Sequence, residues 1–131
     1  IRDTSNSVRS GGIYPLHKGA SNRVLLAFLP PHEQQRYMDG LSMHGSARHA
    51  LEAKLEEIVA CGYDFSEGIL TPGRFGLAFP LFDRSRSLVG ALSTGGYISE
   101  LTPQSKQTLV RKFGEVAEQV NLAMGSFPTM D

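Results

Sequence analysis

The chain of 131 residues has no tryptophan, a single cysteine and no net charge, and each shortage excludes something. Because Cys61 is alone, an internal disulfide is impossible, which suits a reducing cytoplasm. No apolar run reaches the roughly 20 residues of a membrane-spanning helix, and residues 1–10 are too polar for a secretory signal. Thirteen basic residues balance thirteen acidic ones, so the chain lacks the cationic surface that binds nucleic acid. We therefore expect a cytoplasmic protein that contacts neither membrane nor, by itself, DNA.

Residue groups that would mark an enzyme or a metal site are also scarce. No histidine is accompanied by residues that would form a catalytic or metal-binding group with it. The two histidines closest in sequence are five residues apart, instead of the four that would place both on one face of a helix. Cys61 is predicted near a helix C-terminus, whose dipole opposes a thiolate. There is no Cys-x-x-Cys and no glycine-rich phosphate loop. We expect no enzyme, no metal and no cofactor. The four histidines are His17, His32, His44 and His49.

Composition instead favours one compact domain spanning residues 1–131. Forty per cent of the residues are hydrophobic and 20% are charged, which is ordinary for a globular domain. A chain of this length buries enough surface to fold without a metal or a disulfide. Residues 2–7 are polar enough to be a loop or a cut end.

Apolar spacing predicts three helices in the first half. The first follows Gly19 and stops before Pro30, since proline cannot continue the hydrogen-bond ladder. The second covers residues 31–38. Ser46 is the predicted N-cap of the third, which ends at Gly62. Its buried face is predicted to hold Leu51, Leu55, Ile58, Val59 and Cys61, and its outer face Glu52, Lys54, Glu56 and Glu57.

The second half is predicted to contain three strands and a final helix. The strands cover residues 63–70, 75–82 and 88–94, with a turn at 71–73 and a hairpin loop at 83–87. In that loop Arg84 and Arg86 are expected to be solvated, with a phosphate contact as the alternative. The final helix runs from the Thr102 cap and Pro103 to Gly125. Its predicted buried stripe is Leu109, Phe113, Val116, Val120 and Met124. The order predicts an α+β fold with helices packed on an antiparallel sheet.

Three segments together resemble the effector-binding domain of IclR-type transcriptional regulators. Residues 14–27 read YPLHKGASNRVLLA, where that family commonly has proline, a large apolar residue, histidine, small residues, a basic residue and Leu-Leu-Ala. Residues 62–68 read GYDFSEG and residues 77–83 read LAFPLFD, with Gly73 between them. Residues 89–96 read VGALSTGG, similar to the family's serine and glycine after small apolar residues. The three motifs occur in the expected order and cover nearly the whole chain.

The resemblance implies a GAF-like sensor fold that pairs into dimers or tetramers. It also implies that a helix-turn-helix domain outside this chain contacts DNA, and that the sensor domain opens with a helix and strands before residue 15 that are missing here. We expect the effector to order the loop of residues 65–74 and so to change the geometry of the oligomer. A ligandless dimerisation or interaction module remains the alternative.

Residues carried over from the family place a ligand site on a helix start and on strands. Unpaired amides at residues 19–22 and the hydroxyls of Ser21 and Ser93 are expected to converge on one enclosed hollow, and these donors suit a small carboxylate. Ser66 replaces an acid found in some members, and Gly76 and Gly95 replace larger polar residues, so we expect a larger pocket and an aromatic or bulkier carboxylic acid instead of a two- or three-carbon keto acid. His17 is expected to be structural. The implied ligand-binding residues are Tyr14, Ala20, Ser21, Ser66, Glu67, Gly76, Ser93 and Gly95.

Overall fold

A computed structural model describes residues 18–68 and 72–126, and the numbers of helices and strands are those of this part of the chain. It contains four α-helices, three strands and one 3₁₀ turn, in the order expected from the sequence. The α+β class is thereby confirmed, whereas the GAF-like topology stays a prediction. The elements are α1 (Ala20–Ala27), α2 (Pro31–Gly40), α3 (Gly45–Cys61), β1 (Asp64–Glu67), β2 (Arg74–Phe82), β3 (Leu88–Tyr97), the 3₁₀ turn Ile98–Glu100, and α4 (Pro103–Ala123).

The three strands form an antiparallel sheet in the order β1-β2-β3. β3 pairs along the whole of β2, from Arg74 opposite Tyr97 to Phe82 opposite Leu88, with a register shift between Leu81 and Phe82. β1 is short and pairs with residues 75–78 of β2 alone. The second half of β2 therefore has no strand on its β1 side among the described residues.

Helix α1 lies between one face of the sheet and α3. Ala78 of β2 is fully buried against Val24 of α1, and Leu55 and Ile58 of α3 close the other side of that helix. Helix α4 covers the opposite face, because side chains alternate along a strand and the ring of Phe79 points to Gly114 of α4. The site described below lies on the α1 face.

Two helix ends agree with the sequence, and the start of α3 differs. Gly62 closes α3 with φ 84°, the left-handed conformation that glycine adopts without strain. Thr102 and Ser105 form a reciprocal capping box at the start of α4. The expectation that Ser46 caps α3 was wrong, because the N-cap is His44, two residues earlier, and it makes no side-chain cap.

Burial along α3 is narrower than expected. Val59 is 51% exposed and Cys61 is also exposed, which corrects the prediction that both are buried. At 3.6 residues per turn these two positions point roughly 80° to either side of Leu51, whereas Leu55 and Ile58 lie within about 40° of it. Since α3 packs chiefly against one helix, α1, only the centre of the apolar stripe is covered.

Helix α4 is rotated relative to the expected stripe. Val116 is 48% and Met124 is 38% exposed, so neither is buried as predicted, whereas Ala117 is buried. Gly114 and Asn121 face β2 instead, the first against a phenylalanine ring and the second against the strand backbone.

Strand and helix boundaries also differ from expectation, and β3 continues to Tyr97 instead of ending at residue 94. β1 ends at Glu67, and residue 68 is not part of the strand, although the sequence predicted a strand that continues to residue 70. Residues 69–71 lie outside the described part of the chain. α2 continues to Gly40 instead of stopping at residue 38.

Within residues 18–68 and 72–126, no helix combines the length and the apolar character that crossing a membrane requires.

Candidate functional site on the sheet face under α1

One row across the sheet collects three of the residues implied by the family resemblance. Ser66 of β1 is paired with Gly76 of β2, and Gly76 is paired with Gly95 of β3. Directly paired residues share one face of an antiparallel sheet. We call Ser66, Gly76 and Gly95 the serine–glycine row. Because two of its three residues are glycines, the only side chain in the row is the short hydroxymethyl group of Ser66. The row is therefore a low part of the sheet surface, and it forms the floor of the candidate site.

The start of α1 lies directly over this row. A Cβ atom placed on Gly76 would be 3.3 Å from the Ser66 hydroxyl oxygen, 3.4 Å from Cβ of Ala20 and 3.9 Å from the Ala20 amide nitrogen. Gly19 precedes the helix with φ 90°, a backbone conformation that glycine tolerates. The first intrahelical bond runs from the Arg23 amide to the Gly19 carbonyl at 2.9 Å. The amides of residues 20–22 therefore have no intrahelical acceptor, and the positive end of the helix dipole meets the floor.

The remaining implied residues are placed differently. Ser93 pairs with Ala78 and so shares the α1 face, but it is exposed, while Ser21 is half-buried in the first turn of α1. The expected convergence of the Ser21 and Ser93 hydroxyls in an enclosed hollow is thus not seen among the described residues. Glu67 is exposed and, one residue along from Ser66, points to the opposite face. Tyr14 and His17 lie outside the described residues.

A buried carboxylate fixes α1 and α3 relative to β1. The side chain of Asp64 is fully buried and accepts a hydrogen bond of 2.6 Å from Nε of Arg23. Nζ of Lys54 approaches the other carboxylate oxygen at 3.5 Å. That oxygen has no hydrogen bond, so the lysine contact is an ion pair of longer range. Lys54 was expected on the outer face of α3, and the buried acid explains why it turns inward.

This charge cluster is balanced as a whole. Lys54 also lies 3.6 Å from the exposed Glu57 carboxylate, so two cations face two acids, of which Asp64 is the buried one. Asp64 is two residues from Ser66 on the same face of β1, and Arg23 is one helical turn from the α1 start. The amides at the helix N-terminus are therefore the groups that favour an anion at the site.

The end of α1 is held by α2. The Gln34 amide donates to the carbonyls of Leu26 at 2.8 Å and of Ala27 at 2.7 Å in the last turn of α1, where the Leu26 carbonyl also accepts from the Leu29 amide at 3.3 Å. Sequence reasoning missed this contact as well as the role of Asp64. The signal available in the sequence was an acidic residue at the first position of a strand that is otherwise buried on that face. A carboxylate in such a position is buried too, and a buried carboxylate requires a nearby cation.

Comparison with known proteins identifies the family. Residues 2–122 match the bacterial transcriptional regulator IclR C-terminal family, and the chain belongs to that family. The HTH-type transcriptional repressor AllR of Klebsiella pneumoniae is 31% identical over an alignment of 133 residues that covers 92% of this chain and 47% of AllR. The expected resemblance is thereby confirmed. The chain spans about half the length of the curated relatives it matches.

Solved structures have the same fold. The crystal structure of Pseudomonas aeruginosa HmgR superposes with a TM-score of 0.78 at 25% identity, over 93% of this chain and 50% of HmgR. The inducer-binding domain of PobR from Acinetobacter, solved as a double mutant with 3-hydroxybenzoic acid, gives a TM-score of 0.71 at 16% identity, over 86% of this chain and 66% of that one. The curated relatives are transcriptional regulators, so the chain is a regulatory domain and not an enzyme, in agreement with the sequence prediction.

Proposed function

We propose that this domain senses a small carboxylic acid with an aromatic or similarly bulky body, and that it does so for a transcriptional regulator that binds DNA. The observation that carries the proposal is the serine–glycine row lying under the amides at the start of α1. A carboxylate held there would accept hydrogen bonds from the helix amides and from the Ser66 hydroxyl.

Electrostatics supports an anionic ligand. The helix dipole and the unpaired amides at the α1 start lower the energy of a nearby negative charge. The interaction gains strength because Ser66 is buried and the site is therefore poorly screened by water. A neutral acceptor would gain less from this arrangement than a carboxylate.

The bulky body of the proposed ligand rests on the family resemblance, in which larger polar residues stand where this chain has Gly76 and Gly95. The structure adds that a methyl group at Gly76 would already contact Ser66 and Ala20, so glycine allows the α1 start to lie close to the sheet. The PobR domain was solved with 3-hydroxybenzoic acid. At 16% identity that structure shows only that the shared fold accommodates an aromatic acid, and it is the reason for choosing this compound as a probe.

For the whole protein we propose that a helix-turn-helix domain outside this chain reads the operator and that the sensor domains pair as dimers or tetramers. AllR, described as an HTH-type repressor, is about twice the length of the segment matched here. Ligand binding would change the pairing of the sensor domains if the ligand binds the two arrangements with different affinity. Sedimentation velocity with and without saturating ligand measures that change.

Isothermal titration calorimetry of the purified domain tests the ligand class. We expect saturable binding of benzoate and 3-hydroxybenzoate and at least tenfold weaker binding of pyruvate and glyoxylate. Replacing Ser66 with alanine should weaken benzoate binding about tenfold through loss of one charge-assisted hydrogen bond. Tight binding of the keto acids alone would contradict the bulky-ligand proposal. Failure of every acid to bind would favour the alternative, a ligandless dimerisation module.

A further inference from the structure

A second concave surface lies at the far end of the sheet, along the part of β2 that β1 does not cover. There the Asn121 side chain of α4 takes the place of a strand: its Oδ1 accepts from the Phe82 amide at 2.7 Å and its Nδ2 donates to the Pro80 carbonyl at 3.3 Å. A groove of about 320 Å³ runs along this edge, and we call it the α4 groove. None of its lining residues belongs to the serine–glycine row. The lining consists of Phe28, Val59, Gly62, Phe79, Pro80, Phe82, Arg86, Gly114, Ala117, Glu118, Asn121, Leu122 and Ser126.

The apolar part of the groove is aromatic. Phe28 and Phe82 meet edge to face with ring centroids 5.5 Å apart, and Phe79 adds a third ring to the lining. Because Gly114 has no side chain, α4 approaches that ring closely. Ligand sites are commonly apolar hollows of roughly 300–1,000 Å³ with a few fixed polar groups. A volume near the lower limit of that range fits a small ligand with one ring.

The polar part of the groove includes Arg86, whose backbone is in an unusual conformation. Arg86 has φ 65° in the hairpin between β2 and β3, and its amide donates to the Asp83 carbonyl at 2.9 Å. Glycine and asparagine are the residues that normally occupy such a left-handed position. The turn itself therefore gives no reason for an arginine, and Arg86 is an exposed residue that lines the groove.

Charge complementarity defines the ligand. Arg86 brings a guanidinium that binds a carboxylate through two parallel hydrogen bonds, and Glu118 brings a carboxylate that attracts an ammonium group. The amide of Asn121 is already occupied by β2. We propose that the α4 groove binds a free α-amino acid with a large apolar side chain, whose carboxylate pairs with Arg86, whose ammonium pairs with Glu118 and whose side chain packs on the phenylalanine rings.

Calorimetry of the intact chain with L-phenylalanine tests this, with phenylacetate and phenethylamine as probes that each lack one charge. We expect L-phenylalanine to bind at least tenfold more tightly than either. Arg86→Gly should lose at least tenfold in affinity while melting no lower than the parent chain, because glycine suits the left-handed turn. Glu118→Gln should weaken L-phenylalanine but not phenylacetate. Arg111→Ala, which removes the same charge from an exposed part of α4, is the matched control and should bind normally.

Three outcomes would overturn the proposal. The first is absence of saturable L-phenylalanine binding at millimolar concentration. The second is equal affinity in Arg86→Gly and the parent chain. The third is a change in sedimentation coefficient of the ligand-free Arg86→Gly variant, because it would show that the groove is covered by a second copy of the chain. These results are independent of benzoate binding at the serine–glycine row.

Discussion

Arg23 of α1 donates through Nε to Oδ2 of Asp64 on β1 at 2.6 Å, and the aspartate is almost completely removed from solvent. This contact joins residues 41 positions apart in sequence and, together with the apolar packing of Val24 on Ala78, holds α1 on the sheet. Lys54 brings α3 to the same carboxylate. The geometry of the candidate site therefore depends in part on a charge cluster outside the serine–glycine row.

Replacing Asp64 with asparagine should lower the free energy of unfolding by about 2–3 kcal/mol, because the largely buried Arg23 loses its anion, whereas Lys54 keeps its pair with Glu57. Urea denaturation measures the change. Glu115→Gln, which breaks the exposed pair with Arg111, is the control and should alter stability by less than about 0.5 kcal/mol. Equal effects of the two substitutions would show that the Asp64 cluster does not stabilise the fold.

Asn121→Leu should cost about 2 kcal/mol, since the Phe82 amide and the Pro80 carbonyl would lose their partners beside a hydrophobic side chain. Thermal unfolding measures the loss. Gln119→Leu, two residues earlier and exposed on the same helix, makes the same type of change without removing a strand contact and should be close to neutral. A stable Asn121→Leu variant would contradict the role assigned to this side chain.

Sequence predicted element order well because it depends on local signals. The Thr102–Pro103 start of α4 and the Gly62 end of α3 are decided by a few neighbouring residues, and both were confirmed. Membership of the IclR family was likewise readable from three short motifs. The family resemblance also selected Gly76 and Gly95 as site residues, and the structure pairs these two residues across β2 and β3.

The sequence did not predict which side chains face the interior, because tertiary packing decides this. The sheet-facing side of α4 uses Gly114 and Asn121, and hydrophobic spacing cannot recognise a glycine or an amide as a contact residue. Glu67 was grouped with Ser66 because they are adjacent, yet neighbours on a strand point to opposite faces. Ser93 lies on the face that α1 covers but is itself exposed.

Two glycines of β3 should respond oppositely to alanine. A Cβ at Gly95 would lie 2.9 Å from the Phe75 carbonyl oxygen, so the strand pair must shift, at a cost of about 1–3 kcal/mol. A Cβ at Gly90 meets nothing within 4 Å, and alanine there should be neutral or add up to about 1 kcal/mol through reduced entropy of the unfolded chain. Chemical denaturation of both variants checks the contrast. Loss of stability in Gly90→Ala as large as in Gly95→Ala would count against the strand register.

Mapping amide chemical shifts during titration with 3-hydroxybenzoate shows whether the serine–glycine row and the α1 start form the effector site. We expect the largest shifts at Ala20, Ser21, Ser66, Gly76 and Gly95, and their loss when Gly76 is replaced with alanine in a chain that remains folded. Largest shifts at residues of the α4 groove, or unchanged spectra with every aromatic acid tried, would contradict this assignment.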